Sequence, residues 1–190
     1  MHVPWCVRKC PYCDFNSHTQ QGELPETEYL NALLEDLDSE LAWVQGRSLQ
    51  SIFIGGGTPS LMSAEFYQQL LPAIAQRIPF TADIEITLEA NPGTFEQARF
   101  GGFRDAGINR LSLGVQSFDD RCLESLGRIH SGRDAIAAID SANRLGFERI
   151  NLDLMHGLPG QTAEMAMADL QQGIALATSH LSWYQLTIEP

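Results

Sequence analysis

Three of the four cysteines fall within one short loop, Cys6-Val-Arg-Lys-Cys10-Pro-Tyr-Cys13, with C-x3-C-x2-C spacing. Clustered cysteines of this kind point to metal binding rather than to disulfides. Three thiolates on one tight loop can reach three corners of an iron–sulfur cubane and leave the fourth iron open to an outside ligand. The competing chemistry is zinc, which wants a closed tetrahedron of four ligands that His2 or His18 can complete. The fourth cysteine, Cys122, lies far away in the helical stretch DDRCLESLG and reads as a small buried hydrophobe.

Further chemistry is spread along the chain. Gly55-Gly56-Gly57-Thr58-Pro59 follows the apolar run SIFI. Glycines there let a ligand approach backbone N–H and C=O groups closely. No Lys-Ser/Thr follows, so the phosphate-binding P-loop pattern is absent. The motif suits the amino group of a bound amino acid better than a phosphate. Glu89, Gln116, Arg128 and Asp153 sit at or just beyond the ends of apolar runs. Glu89 and Asp153 can accept hydrogen bonds from hydroxyls, and Arg128 can pair with a carboxylate. Tyr12, between two cysteines, can shield a cluster or pack against a ligand. Arg8 and Lys9 put positive charge beside anionic thiolates, or are simply solvated.

The elements that must position these residues repeat a single order of apolar run, polar or glycine-rich motif, then helix. The first run is only Met1–Pro4. Leu30, Leu33, Leu34, Leu37 and Leu41 give a helical stripe over Glu26–Val44, with Pro25 just before it. A second helix is expected from Ser63, its N-cap, to Arg77. A third spans Thr94–Ala106 and ends at Gly107. Two more cover Asp119–Leu126 and Arg133–Leu145, and a last one Thr162–Ala177. The runs SIFIGGG, DIEITLEANP, RLSLGVQS, RINLDLMHGLP and LSWYQLTIEP read as strands buried on both faces. Strands alternating with helices at roughly 30-residue spacing predict an α/β fold with a parallel sheet: a partial (β/α)6 barrel, or alternatively a doubly wound open sheet. The motifs then gather at the carboxyl ends of the strands, where such folds place ligands. The short first run, and a last run with no helix after it, read as a domain truncated at both ends. One domain covers residues 1–190.

Of the 190 residues, 44% are hydrophobic and 19% charged, which fits a globular chain. The net charge of −12 argues against nucleic acid as a partner, because phosphate binding needs a basic footprint. No run of 18 apolar residues and no basic start followed by an apolar core occur, so neither a membrane span nor a secretory signal is expected, and the cytoplasm is the expected location.

The residues His2-Val3-Pro4-Trp5-Cys6 through Cys13-Asp14-Phe15-Asn16-Ser17 resemble the signature of radical S-adenosylmethionine (SAM) proteins related to oxygen-independent coproporphyrinogen III oxidase. GGGTPS, LEANP, LGVQSF, LGRIH, NLDLMHGLPGQ and LSWYQLTIEP continue the match in order, over essentially the whole chain. The resemblance implies a [4Fe–4S] cluster on Cys6, Cys10 and Cys13. It implies SAM contacts at Tyr12, Gly56, Gly57, Thr58, Glu89, Gln116, Arg128, Asp153 and Thr187. A tyrosine that the family carries two residues before the motif histidine has no counterpart, since His2 is the second residue. The oxidases resemble C-x3-C-x2-C-x-C, and Phe15 stands where their further cysteine falls. With the DFNS and LTIEP wording, this resembles the heme-chaperone (HemW-type) branch instead. That branch implies heme as cargo, an electron donor and a heme-acceptor protein of unknown identity, and a carboxy-terminal domain after Pro190. His18, His130 and His156 are the rim histidines that can be weighed as heme ligands, and each reads more readily as structural. The remaining readings are the oxidase itself and a zinc-bound structural module.

Overall fold

The computed structural model describes residues 1–176 and 178–187, without the side chains of Thr94 and Phe95. Its strands and helices are β1 (His2–Val3), β2 (Trp5–Cys6), β3 (His18–Thr19), α1 (Glu26–Val44), β4 (Leu49–Gly56), α2 (Ala64–Arg77) and β5 (Phe80–Ala90). They continue with α3 (Thr94–Gln97), α4 (Phe100–Asp105), β6 (Arg110–Gln116), α5 (Asp120–Ser125), α6 (Gly132–Arg144), β7 (Arg149–His156), α7 (Ala163–Ala175) and β8 (His180–Gln185).

Six strands form one sheet in the order β1-β4-β5-β6-β7-β8, and each neighbouring pair is parallel. The order follows the sequence and never doubles back. A doubly wound sheet needs a reversal of strand order, so that alternative is excluded and the arrangement is a (β/α) barrel taken part-way round. β2 and β3 pair separately, with Trp5 opposite His18 and Cys6 opposite Thr19.

The helices form where periodicity and capping place them. α1 occupies the expected span, and Leu30, Leu33, Leu34 and Leu37 pack against the core. Ser63 caps α2 by accepting from Phe66 N at 3.0 Å, and α2 buries Phe66, Tyr67, Leu70, Leu71 and Ile74. Ser63 N and Oγ also donate to the Glu26 carboxylate, which ties the start of α1 to the start of α2. Gly107 and Gly146 take the left-handed conformation just past their helices, with φ of +106° and +78°. Ala177, the expected end of the last helix, and the final residues 188–190 of the LSWYQLTIEP run lie outside the described residues.

Two expectations are corrected. The helix expected over Thr94–Ala106 is two short pieces, α3 and α4. Gly101 and Gly102 lower helix propensity there, and the backbone approaches α2 so closely that a Cβ on Gly102 would stand 2.7 Å from Ala64 Cβ. The strands are not apolar on both faces. Ile86, Leu88, Ala90, Leu111, Leu113, Val115, Leu152 and Leu154 face the helices and are buried. The alternate positions Glu89, Asn91, Ser112, Asn151, Asp153 and Ser182 are polar and bond to one another or to the glycine turn across the opposite face. The period of two therefore sorts one apolar and one polar face.

Candidate functional site

The cysteine loop runs from β2 to its separate partner β3, and short backbone bonds hold both ends. His18 N donates to Pro4 O at 2.7 Å and Gln20 N to Cys6 O at 2.8 Å. Cys13 N closes a turn onto Cys10 O at 3.1 Å. Lys9 is exposed and donates through Nζ to Phe15 O at 3.0 Å and Ser17 O at 3.3 Å, bracing the loop. All three cysteines are free thiols.

The glycine turn at the end of β4 grips the strand that leads into this loop. Gly57 N donates to Val3 O at 2.6 Å, and Thr58 N donates to Trp5 O at 2.7 Å. A Cβ on Gly57 would lie 2.5 Å from Trp5 O, and one on Gly56, at φ +112°, would lie 2.6 Å from the His2 ring. The glycines are needed here for close packing of backbone on backbone.

One cavity of about 510 Å³ opens at the carboxyl ends of the strands. Cys6, Cys10, Cys13, Tyr12, Gly56, Gly57, Thr58, Glu89, Gln116, Arg128, Asp153 and Thr187 all line it, so the structure brings every site residue expected from the sequence to one place. Strand register explains part of this. Glu89 lies beside Ser112, and Gly114 beside Asp153, on consecutive strands. Gln116 adopts φ +68° at a register shift between β6 and β7. Its neighbour Ser117 donates to Asp169 Oδ2 at 2.6 Å, and Phe118 N donates to Asp169 Oδ1 at 2.8 Å, pinning that turn to α7.

The cavity is bipolar. Asp153 accepts from Ser112 Oγ at 3.0 Å and Asn151 Nδ2 at 2.9 Å. Glu89 accepts from Gly56 N at 3.2 Å. Burial raises both carboxyls above the ordinary carboxylate range, against the lowering effect of those hydrogen bonds. Opposite them, Arg128 donates through Nη2 to Asn91 Oδ1 at 2.5 Å and Gly114 O at 2.8 Å, and through Nη1 to Cys10 Sγ at 3.5 Å. Its Nε is buried without a partner. Burial pushes the Tyr12 phenol up to about 12, the Arg128 charge opposing and Cys10 reinforcing that shift.

Sequence reasoning missed Asn91, Ser112, Met155 and Tyr184, which also line the cavity. Tyr184 OH donates to Gln116 Oε1 at 3.2 Å. The alternation of polar and apolar residues in TLEAN, LSLGVQ and NLDLMH carries the signal for the first three. Among the histidines weighed as rim ligands, His130 is structural, the reading the sequence favoured, and it is not on the rim. It is 6% exposed, with Nε2 3.1 Å from Val115 O, so it is a core group and not a rim ligand. His156 sits against Trp183 with ring centroids 4.8 Å apart, and His18 lies in exposed β3. Cys122 is buried at 2% exposure, as a small hydrophobe should be.

The donor set fits an iron–sulfur cluster. Cys6, Cys10 and Cys13 are free thiols that line one cavity, and thiolates are the usual ligands of such clusters. Arg128, whose Nε is buried without a partner, lines a cavity large enough for a small-molecule ligand.

The chain is 56% identical over 190 residues to the heme chaperone HemW of Escherichia coli strain K12, covering all of this chain and 50% of that protein. It is 41% identical over 189 residues to the mitochondrial radical S-adenosyl methionine domain-containing protein 1 of Mus musculus, covering 42% of it. The chain thus spans about half the length of the curated relatives it matches. Its fold superposes on the solved structure of coproporphyrinogen III oxidase (HemN) from Escherichia coli with a TM-score of 0.88 and 29% identity, covering 98% of this chain and 43% of that one. The family model of the Radical SAM superfamily matches residues 1–172, from the cysteine loop through most of α7. The three-cysteine loop and the singly wound sheet thus have a common source: the chain belongs to the Radical SAM superfamily.

Proposed function

We propose that residues 1–190 are the radical SAM core domain of a heme chaperone, a protein that binds heme and passes it to acceptor proteins. Cys6, Cys10 and Cys13 would hold a [4Fe–4S] cluster. Tyr12, Gly56, Gly57, Thr58, Glu89, Gln116, Arg128, Asp153 and Thr187 would surround SAM. When bound, the cluster supplies one electron and an open iron for the amino acid end of SAM. The protein's own part is to present hydroxyl acceptors at Glu89 and Asp153 and a carboxylate partner at Arg128, and to keep water from the thiols with Tyr12. Heme is the cargo, while the electron donor and the acceptor protein are identified by nothing on this chain. Among the described residues no helix is long and apolar enough to cross a membrane.

The observation that carries the chaperone reading is Phe15. It occupies the position of the oxidases' further cysteine, lines the cavity and is 54% exposed. An apolar ring cannot perform any thiol chemistry, and it offers a flat contact surface instead. The 56% identity to a heme chaperone supports the same reading. The second reading is oxygen-independent decarboxylation of coproporphyrinogen III, which the close superposition on that oxidase favours. The test is a heme titration of the full-length protein beside an anaerobic assay with SAM, a reductant and coproporphyrinogen III. The chaperone reading expects heme binding and no protoporphyrinogen IX. Turnover without heme binding reverses it. SAM cleavage alone does not discriminate, since both readings share the radical machinery.

A further inference from the structure

We propose that Asn91 is a positioning residue that aims the Arg128 guanidinium at the Cys10 sulfur, and that this contact raises the reduction potential of the cluster held there. The inference rests on the reading of Cys10 as a cluster ligand. It adds a role for Asn91 and a second role for Arg128 beyond pairing with a carboxylate.

The argument begins with the donors of Arg128. A guanidinium is always charged and only donates, through five N–H groups in a fixed plane. Nη2 uses two of them, on Asn91 Oδ1 at 2.5 Å and Gly114 O at 2.8 Å. That pair of anchors fixes the plane and leaves Nη1 pointing at Cys10 Sγ, 3.5 Å away. With Gly114 O alone, the guanidinium could swing about a single bond. Because Arg128 has no acceptor, the group facing it on Asn91 must be the amide oxygen, and Asn91 Nδ2 is then directed at Thr58 Oγ1, 3.4 Å away. Asn91 is itself held. It follows β5 directly and precedes Pro92, which confines its backbone to extended conformations. The loop carrying Arg128 is held against the cysteine loop as well: a Cβ on Gly127, at φ +70°, would touch Pro11 Cδ at 3.0 Å.

A hydrogen bond from a cation to a ligating thiolate draws charge from the sulfur and favours the reduced, more negative cluster. Removing the aim of Arg128 should therefore lower the potential, even though the charge itself stays in the protein.

The experiment is an equilibrium redox titration of the anaerobically reconstituted full-length protein. Dithionite is the one-electron donor, the reduced cluster is read by electron paramagnetic resonance, and iron and sulfide are measured on each sample. Asn91→Leu and Arg128→Gln are each expected to lower the ratio of reduced to oxidised cluster about tenfold at fixed poise, or ~59 mV for a one-electron couple. In the double variant the Asn91 change should add nothing to Arg128→Gln, because Asn91 acts only through Arg128. If Asn91→Leu fails to hold iron, Asn91→Asp serves. It keeps the acceptor and hence the geometry, but partly neutralises the guanidinium, so the potential should again fall. A full cluster with unchanged potential in the single variants, or additive shifts in the double variant, overturns the proposal. A merely structural role for Asn91 would lower iron content or melting temperature and leave the potential of the intact fraction where it was. A wild-type protein that takes up no iron and sulfide would remove the cluster reading, and this inference with it.

Discussion

Gly57→Ala tests whether the glycine turn is the clamp on the cysteine loop. The added Cβ would stand 2.5 Å from Trp5 O, 2.9 Å from Trp5 C and 2.9 Å from Val3 O, all of them backbone atoms. That is roughly 1 Å short of ordinary contact, and no side chain can swing aside to make room. Either the turn stays and carries the strain, at about 1–3 kcal/mol, or the strand Val3–Cys6 retreats. Retreat would stretch the bonds from Gly57 N to Val3 O and from Thr58 N to Trp5 O, now 2.6 and 2.7 Å, past useful length. Two backbone bonds are worth about 1 kcal/mol each. The two costs are alternatives and the cheaper one is taken, so the expected loss is about 1–2 kcal/mol, or a fall in Tm of about 2–8 °C for a chain of this size. Retreat also carries Cys6 away from the cavity, so reconstituted iron should drop in parallel. Circular dichroism melts and iron and sulfide analysis under anaerobic conditions read both effects. Gly101→Ala is the control, because its Cβ meets only Leu145 Cδ2 at 3.8 Å in a helix. A Gly57→Ala protein with wild-type Tm and iron content would refute the clamp.

Reconstituted wild-type protein should carry about four irons and four sulfides. Substituting Cys6, Cys10 or Cys13 with Ser should each abolish this, and Cys122→Ser should not; a tetrahedral zinc without labile sulfide would defeat the cluster reading. Arg128→Ala and Asp153→Ala should weaken the SAM-induced change in the electron paramagnetic resonance spectrum, each by about 1–3 kcal/mol of binding. Asp153→Asn should gain in melting temperature relative to wild type as pH rises above about 4, the ordinary carboxylate value. Burial raises the carboxyl's folded-state pKa, so its contribution to stability is present below its unfolded value and is lost as pH rises through the raised one. His130 behaves in the opposite sense. Burial, reinforced by the Arg128 charge, lowers it to about 4, so stability present above about pH 6.5 is lost as pH falls toward 4. His130→Gln should flatten that part of a urea-midpoint profile against pH.

Much of the fold was readable because two periodicities were. The leucine stripe of α1 and the Ser63 cap of α2 gave helix bounds that the structure reproduces almost to the residue. Strand order was not readable, because parallel strands joined by helices fit both a barrel and a doubly wound sheet until pairing is known. The β2–β3 pair escaped notice because two-residue strands have no period. The thiols, glycines and charged residues of the site stood out by type. Asn91 did not: the alternation in TLEAN puts it on the polar face, but only the fold shows that Arg128, 37 residues later, meets it. His130 is the structural histidine that the sequence favoured, but its partner, Val115 O, and its burial away from the rim are seen only in the fold.

The serial order of the sheet bears on how the protein is made. A ribosome releases the strands in the order in which they later lie side by side, so no strand has to be threaded between two that already pair. Each new unit closes onto the last one finished, and each closure involves only a modest loop. By the time Thr58 has emerged, the cysteine loop has both its β3 partner and its glycine clamp. Asn91 and Arg128 are still to come. The three thiols are thus synthesised well before Arg128, the cation that meets Cys10 in the finished fold.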